Sequence, residues 1–204
     1  VVLIAGAVGV ALAWPSLAPL LGLGPAPSEE RPALAHLGPG DAALAEDTTP
    51  GHERALHHYT QALAFDDPDV ETLTRIPRAH ALWAQALAFD ASDLEADADR
   101  GPARRGEANA LRRELRRHAD TALARAEDAV RYGSTSADAE VALADALRLT
   151  GDLTRARSRL DRALTFRSEP DAEALRVQAL LAAADAGGDL TRARDPAEQA
   201  VAEA

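Results

Sequence analysis

The first part of the chain is uniformly apolar. Residues 1–23 contain no charged side chain and only one polar one, Ser16. As a helix rising about 1.5 Å per residue, this segment would reach roughly 34 Å, which is enough to cross a hydrocarbon core of about 30 Å. The pattern predicts a single transmembrane helix over 1–23. Two other interpretations stay open: a cleavable signal segment that ends near Pro15, and an apolar segment of a buried hairpin.

Helix-breaking residues dominate the next segment, 24–50. Proline and glycine recur there at short intervals: Pro25, Pro27, Pro32, Gly38, Pro39, Gly40 and Pro50. Residues of this kind interrupt helices. The sequence therefore predicts a spacer linker over 24–50, with at most a short helix around residues 41–47.

The remainder, residues 51–204, has the periodicity of amphipathic helices. Four sets of small and apolar residues recur at spacings of four and three, which places each set on one helical face. The sets are Ala55, Tyr59 and Ala62; Ala122, Ala126 and Ala129; Ala156, Leu160 and Ala163; and Ala193, Ala197 and Ala200. Small side chains let a neighbouring helix approach closely, so we expect an all-α fold of tightly packed antiparallel helices.

One heptapeptide occurs twice without change. Gly-Asp-Leu-Thr-Arg-Ala-Arg stands at 151–157 and again at 188–194, a displacement of 37 positions. A period in the thirties is typical of stacked helical hairpins.

The segment around the first copy resembles a tetratricopeptide repeat (TPR). That family pairs two helices in about 34 residues, with large and small residues in the first helix, a Gly-Asp-like turn, and small, large and small residues in the second. The matching residues here are Leu143, Ala144 and Leu147, then Gly151 and Asp152, then Ala156, Leu160 and Ala163. Leu or Ala mostly replaces the aromatic residues of the motif, so this is a degenerate variant.

The resemblance implies a TPR-like α-solenoid of antiparallel hairpins over 51–204, preceded by the transmembrane or signal segment. Its predicted parts are a partial repeat at 51–68, an elongated hairpin at 69–133, and repeats at 136–168 and 170–204. The elongated hairpin is inferred from two long helix-forming stretches that Arg100, Gly101 and Pro102 separate.

The resemblance also implies a binding function. Stacked helical hairpins leave a curved groove along their first helices, and such grooves bind a peptide or helix of a partner protein. The residues expected to line it are Asp138, Val141, Asp145, Arg148 and Gln178. The alternative for each is a plain solvated helix face. Because the chain has no lysine, we do not expect the lysine-dependent capture of a terminal carboxylate that the chaperone-binding members of the family use.

Composition narrows the classes of function. The formal net charge of −11 argues against a general nucleic-acid binder, because phosphate contacts need a basic surface. With no cysteine, there is no disulfide framework and no thiolate nucleophile. The alanine-rich, lysine-free composition is typical of a GC-rich bacterial genome. Acidic residues outnumber Arg31 after the apolar segment, which favours a single-pass protein of a bacterial membrane with a periplasmic repeat domain.

No pattern of an enzyme is present. His52, His57 and His58 cluster with Glu53, but no further ligand stands at matched spacing, so ordinary exposed histidines are expected. Phosphate loops, nucleophile elbows and dinucleotide fingerprints are absent from the sequence. We therefore expect no catalytic residue, no metal, no cofactor and no small-molecule substrate.

Charge is segregated at the tip of the elongated hairpin. Acidic residues close its first arm and arginines open its second: Asp93, Glu95, Asp97 and Asp99, then Arg104, Arg105, Arg112, Arg113, Arg116 and Arg117. In an antiparallel pair these ends lie side by side, so we expect ion pairs across the hairpin. A landing surface for acidic lipid headgroups or an acidic partner is the alternative.

Three functional hypotheses follow. The first is a membrane-anchored protein-interaction scaffold of the bacterial cell envelope. The second is the docking or sensory half of a larger signalling protein, such as a receptor-like kinase with its catalytic domain upstream of Val1. The third, an enzyme on an α/α scaffold, has no constellation of residues behind it.

Overall fold

The described part of the chain is entirely helical. The computed structural model describes residues 33–65, 69–96, 101–167 and 169–185, all of them in one compact unit that begins at Ala33. Its helices are α1 (Leu34–Leu44), α2 (Thr49–Ala62), α3 (Val70–Ala96), α4 (Pro102–Tyr132), α5 (Ala137–Leu149), α6 (Leu153–Thr165) and α7 (Ala172–Asp185). The all-α class expected from the sequence is confirmed for these residues.

Several expectations fall outside the described residues: the membrane span over 1–23, the second copy of the heptapeptide, the small-residue set of Ala193, Ala197 and Ala200, and the positions of Asp97 and Asp99 at the hairpin tip. Of helices α1 to α7, none combines the length and the apolar composition that crossing a bilayer requires.

Neighbours in sequence are neighbours in space. Each helix packs against the next one along the chain, most extensively α1 on α2, α3 on α4, and α5 on α6. In addition α3 contacts α5, and α5 contacts α7. Helices α3, α5 and α7 therefore lie side by side, and this arrangement positions the groove described below.

Side-chain caps start several helices. The Thr48 hydroxyl accepts a hydrogen bond from the Gly51 N–H (3.1 Å), and the Asp152 carboxylate accepts one from the Arg155 N–H (3.1 Å). Each cap satisfies a backbone donor that the first turn leaves without a partner. Between α5 and α6, Gly151 adopts a φ of +89°, which residues with a side chain rarely tolerate. The Gly-Asp of the heptapeptide is thus a turn followed by a helix cap.

The small-residue sets form the helix interfaces, as their spacing predicts. Every described member is buried: Ala55, Tyr59, Ala62, Ala122, Ala126, Ala129, Ala156, Leu160 and Ala163. Members of the later sets join one core cluster with α5 and α7, while the first set belongs to a second cluster with α1 and α3. Because alanine projects only one methyl group, the backbones of paired helices come close together.

The structure corrects the interpretation of the segment before α2. A helix, α1, occupies residues 34–44, where the sequence predicts a linker with at most a short helix around 41–47. It includes Pro39, and two glycines allow it to pack on α2. A Cβ on Gly40 would overlap the Tyr59 ring, and a Cβ on Gly51 would lie 2.6 Å from the Ala43 carbonyl oxygen. Close packing of α1 on α2 thus outweighs the local cost of proline and glycine in the helix.

Candidate functional site

One depression of the described surface lies across three helices. It encloses about 290 Å³ between α3, α5 and the start of α7. Its lining is Glu71, Thr74, Arg75 and Arg78 from α3, Asp138, Val141 and Ala142 from α5, and Asp171 and Glu173 at α7. The lining is mixed in charge and rich in groups that form hydrogen bonds.

A second depression adjoins the first. It lies between α1 and α3 and is lined by Asp41, Leu44, Ala45, Arg75, Arg78 and Leu82. Because Arg75 and Arg78 line both depressions, the two meet at these side chains, and together they form one feature along α1, α3, α5 and α7. We call this feature the first-helix groove.

Arg75 is held in the middle of the groove by two carboxylates. Its guanidinium donates to Oδ1 of Asp41 at 3.0 Å and to Oε1 of Glu71 at 2.9 Å. Burial alone would lower the pKa of Arg75, but the hydrogen bond to Glu71 and the charge of Asp41 raise it above its ordinary value. Arg75 therefore links α1 to α3 as a permanent positive charge.

Arg78 has donor capacity left. Its guanidinium lies 3.6 Å from Glu173, too far for a direct hydrogen bond, and its Nε is buried without an acceptor among the described residues. A buried donor without a partner costs free energy. The side chain as a whole is partly exposed, so its guanidinium is a candidate attachment point for an acceptor oxygen of a bound segment.

Arg167 closes the end of the groove near α7. It pairs with both Asp138 of α5 and Asp171. Asp171 in turn accepts a hydrogen bond from the Ala174 N–H at 2.9 Å and so caps α7. Burial would raise the pKa of Asp171, but the bonds from Ala174 and Arg167 lower it below its ordinary value, so the carboxylate stays charged.

Below the groove lies a buried ion-pair network. Asp145 of α5 is buried and pairs with Arg148 at 2.7 Å and with Arg176 of α7 at 2.5 Å. Arg176 also donates to Glu173 at 2.7 Å, which connects the network to the groove wall. Burial would raise the pKa of Asp145, yet the two arginines together lower it. The network fixes the relative position of α5 and α7.

The residues expected to line a binding groove separate into three places. Asp138 and Val141 line the first-helix groove. Asp145 and Arg148 lie in the network beneath it, where their side chains support the wall. Gln178 lies in another depression, between α6 and α7, with Leu160, Leu164 and Leu181 among its neighbours.

The sequence interpretation missed the contribution of α3 to the groove. Glu71, Arg75 and Arg78 lie in the elongated hairpin, to which no motif position of the family was transferred. The available signal was their spacing, because positions 71, 75 and 78 fall on one helical face.

The histidines do not form a metal centre in the described part of the chain, where no group of three or more potential ligands comes together. The expectation of exposed histidines holds for His57 but not for the other two, because His58 is partly buried and His52 is fully buried. The His52 ring stacks against Trp83 with centroids 5.7 Å apart, and burial lowers its pKa. Trp83 is itself in the core.

Comparison with known proteins does not identify the chain: no family model matches it, and no curated protein matches it either.

Proposed function

We propose that this chain is a TPR-type interaction scaffold, held in a bacterial membrane by residues 1–23, whose periplasmic first-helix groove binds a segment of a partner protein. The observation that carries the proposal is the groove itself. It consists of two adjoining depressions along four helices and presents charged side chains in both.

The chemistry of the groove suits a polar or charged segment. Its carboxylates and guanidinium groups pair mostly with each other, so a bound peptide can exchange these pairs for its own. The partly exposed walls keep the free-energy cost of that exchange small, because exposed ion pairs contribute little individually. Arg78 is partly exposed and lies 3.6 Å from Glu173, too far for a direct hydrogen bond, so we expect its guanidinium to bind an oxygen atom of the segment.

The repeat pattern supports the family in this proposal. The Gly-Asp turn, the small-residue interfaces and the contacts of α3 with α5 and of α5 with α7 are what stacked TPR-like hairpins require. In this proposal the groove is the inner face of the solenoid, and the chain carries no chemistry of its own.

The test is selection of peptides that depend on the groove. The full chain in lipid nanodiscs is used to select from a phage library of random peptides of about twelve residues, a length that spans several helix diameters when extended. Binding is then measured to Ala142→Arg, which places a large side chain in the groove, and to the matched control Ala124→Arg on an exposed site of α4.

We expect the selected peptides to lose at least about tenfold in affinity for Ala142→Arg, the effect of losing one desolvated contact region. Their affinity for Ala124→Arg should stay within about twofold of the parent. Peptides that bind both variants equally well, or a selection without enrichment, would contradict the proposal.

A further inference from the structure

The outer side of α4 carries a continuous arginine surface. At about 100° per residue, Arg105, Arg112, Arg113, Arg116 and Arg117 fall within an arc of roughly 140° on the helix. All five are exposed. We call this surface the α4 arginine face. It extends over about 18 Å at a rise of 1.5 Å per residue.

The arc contains no carboxylate from residue 102 to Arg117, and the exposed Asp120, one turn past Arg116 on the same arc, ends the face. The other positions of the arc are Pro102, Gly106 and Asn109, all uncharged, none of them large, and all exposed. Nothing lies within 4 Å of where a Cβ on Gly106 would be. Five guanidinium groups therefore rise from an open, shallow surface rather than from a groove.

Ion pairing among the described residues does not account for this surface. Of the five arginines, Arg112 pairs across the hairpin with Glu95 and Arg117 pairs with Glu114 at 3.1 Å. Arg105, Arg113 and Arg116 have no ion-pair partner among the described residues. The expected charge matching at the hairpin tip therefore holds for Arg112 and leaves a net positive surface on a chain of formal charge −11.

We propose that the α4 arginine face binds the anionic headgroups of the bilayer surface and thereby orients the helical domain against the membrane. Guanidinium groups bind phosphate oxygens with two parallel hydrogen bonds, and several arginines together add attraction to an anionic leaflet. A planar surface can engage all five at once. An acidic protein segment is the competing occupant of such an arginine cluster, and the experiment below distinguishes it from the bilayer.

This inference rests on the membrane anchorage in the proposed function, and its test separates the two. The chain has no cysteine, so Asn109→Cys places one fluorescent donor in the centre of the face without removing a charge. Ser158→Cys, exposed on α6, is the control position. Energy transfer to an acceptor dye in the lipid headgroups is compared between phosphatidylcholine nanodiscs and discs with about 30% phosphatidylserine, a strongly anionic composition.

We expect energy transfer from position 109 to be roughly twofold higher in anionic than in neutral discs, and this difference to disappear at high salt because exposed charges are screened. Energy transfer from position 158 should differ less between the two kinds of disc. Replacing the five arginines of the face with Gln should abolish the difference. The matched control replaces five other exposed arginines with Gln and should retain it: Arg54, Arg104, Arg125, Arg131 and Arg155.

Equal transfer in both kinds of disc would overturn the inference. So would an equal loss in the control variant, since it would show a general charge effect. Binding of soluble polyglutamate or nucleic acid by the face, without a lipid-dependent change at position 109, would assign it to another partner and overturn it as well.

A chain that does not remain with neutral discs would contradict the anchor instead. In that case, co-sedimentation of the full chain with anionic and neutral vesicles tests whether the α4 arginine face binds anionic lipid without the anchor. Binding to anionic vesicles that the five Gln substitutions remove would support the inference, and no binding would reject it.

Discussion

The Nδ1 atoms of His80 and His118 lie 2.8 Å apart across the interface between α3 and α4. Arg117 approaches the other side of His118, with 3.2 Å between its guanidinium and Nε2. Because a guanidinium group can only donate, Nε2 of His118 accepts, and Nδ1 of His118 carries the proton that it shares with His80. The two rings therefore form a neutral pair, with Trp83 packed 4.0 Å from the His118 ring.

The histidine pair predicts acid sensitivity of the long hairpin. Burial is the main cause that lowers the pKa of both rings to about 4, and the positive charge of Arg117 adds to it, while Glu114 opposes it at His118. The unfolded chain binds these protons near pH 6.5. Stability is therefore fully present above pH 6.5 and falls as the pH is lowered from 6.5 to about 4, by at most about 3 kcal/mol per histidine. Urea unfolding at several pH values measures this slope.

The control for this prediction replaces both rings. His80→Gln combined with His118→Gln should reduce the dependence on pH between 6.5 and 4.5, whatever its effect on stability at pH 7.5. His57→Gln, at an exposed position of α2, should leave the slope unchanged. A double variant that keeps the full slope of the parent would place the acid sensitivity elsewhere, with buried His52 as the next residue to replace.

Two glycines of α1 should respond in opposite ways to the same substitution. Gly38→Ala adds a methyl group with nothing within 4 Å and should stabilise the protein by about 0.5–1 kcal/mol through helix propensity. Gly40→Ala would push into the Tyr59 ring and should destabilise it by about 1–3 kcal/mol. Urea unfolding of both variants checks the signs. A stabilising Gly40→Ala would mean that α1 and α2 do not pack this closely.

The sequence predicts the helical interfaces well because they depend on a local pattern. The spacing of Ala122, Ala126 and Ala129 places them on one face of their helix, and their small apolar side chains favour packing of that face against another helix. The position of α1 could not be predicted in this way. Pro39 and Gly40 disfavour a helix locally. Gly40 is required because the Tyr59 ring, 19 residues later in the chain, occupies the space that a Cβ would need.

The groove could be predicted in part for a related reason. Asp138 and Val141 follow from the motif of the α5–α6 pair. Asp145 shares that helix and carries the same charge as Asp138, but Arg176 of α7 draws it into a buried pair. A carboxylate on a helix is exposed or buried according to the residues that another helix places against it. The spacing of residues within one helix carries no information about that partner.

The Asp152 cap should contribute measurably to the turn of the repeated heptapeptide. Asp152→Ala removes the acceptor for the Arg155 N–H and should cost about 1 kcal/mol. Asp152→Asn should lose less, because an amide oxygen can also accept. Asp161→Ala, an exposed site on the same helix, is the control and should change stability by less than about 0.5 kcal/mol. Equal effects at positions 152 and 161 would exclude a capping role.

Substitution of Asp145 should reduce the free energy of unfolding more than substitution of any other charged residue in or beneath the first-helix groove. Asp145→Asn keeps the shape of the side chain but leaves Arg148 and Arg176 without their shared buried carboxylate, and losing one partner of such a pair costs about 3–5 kcal/mol. Asp138→Asn removes a more exposed carboxylate and should cost less than about 1 kcal/mol. Urea unfolding at pH 7.5 compares the two. The pKa of Asp145 is lowered in the folded protein, so its contribution is present at neutral pH and is lost only in strong acid, below the range in which the histidines titrate. If Asp145→Asn were no more destabilising than Asp138→Asn, α5 and α7 would be held together by their apolar contacts alone.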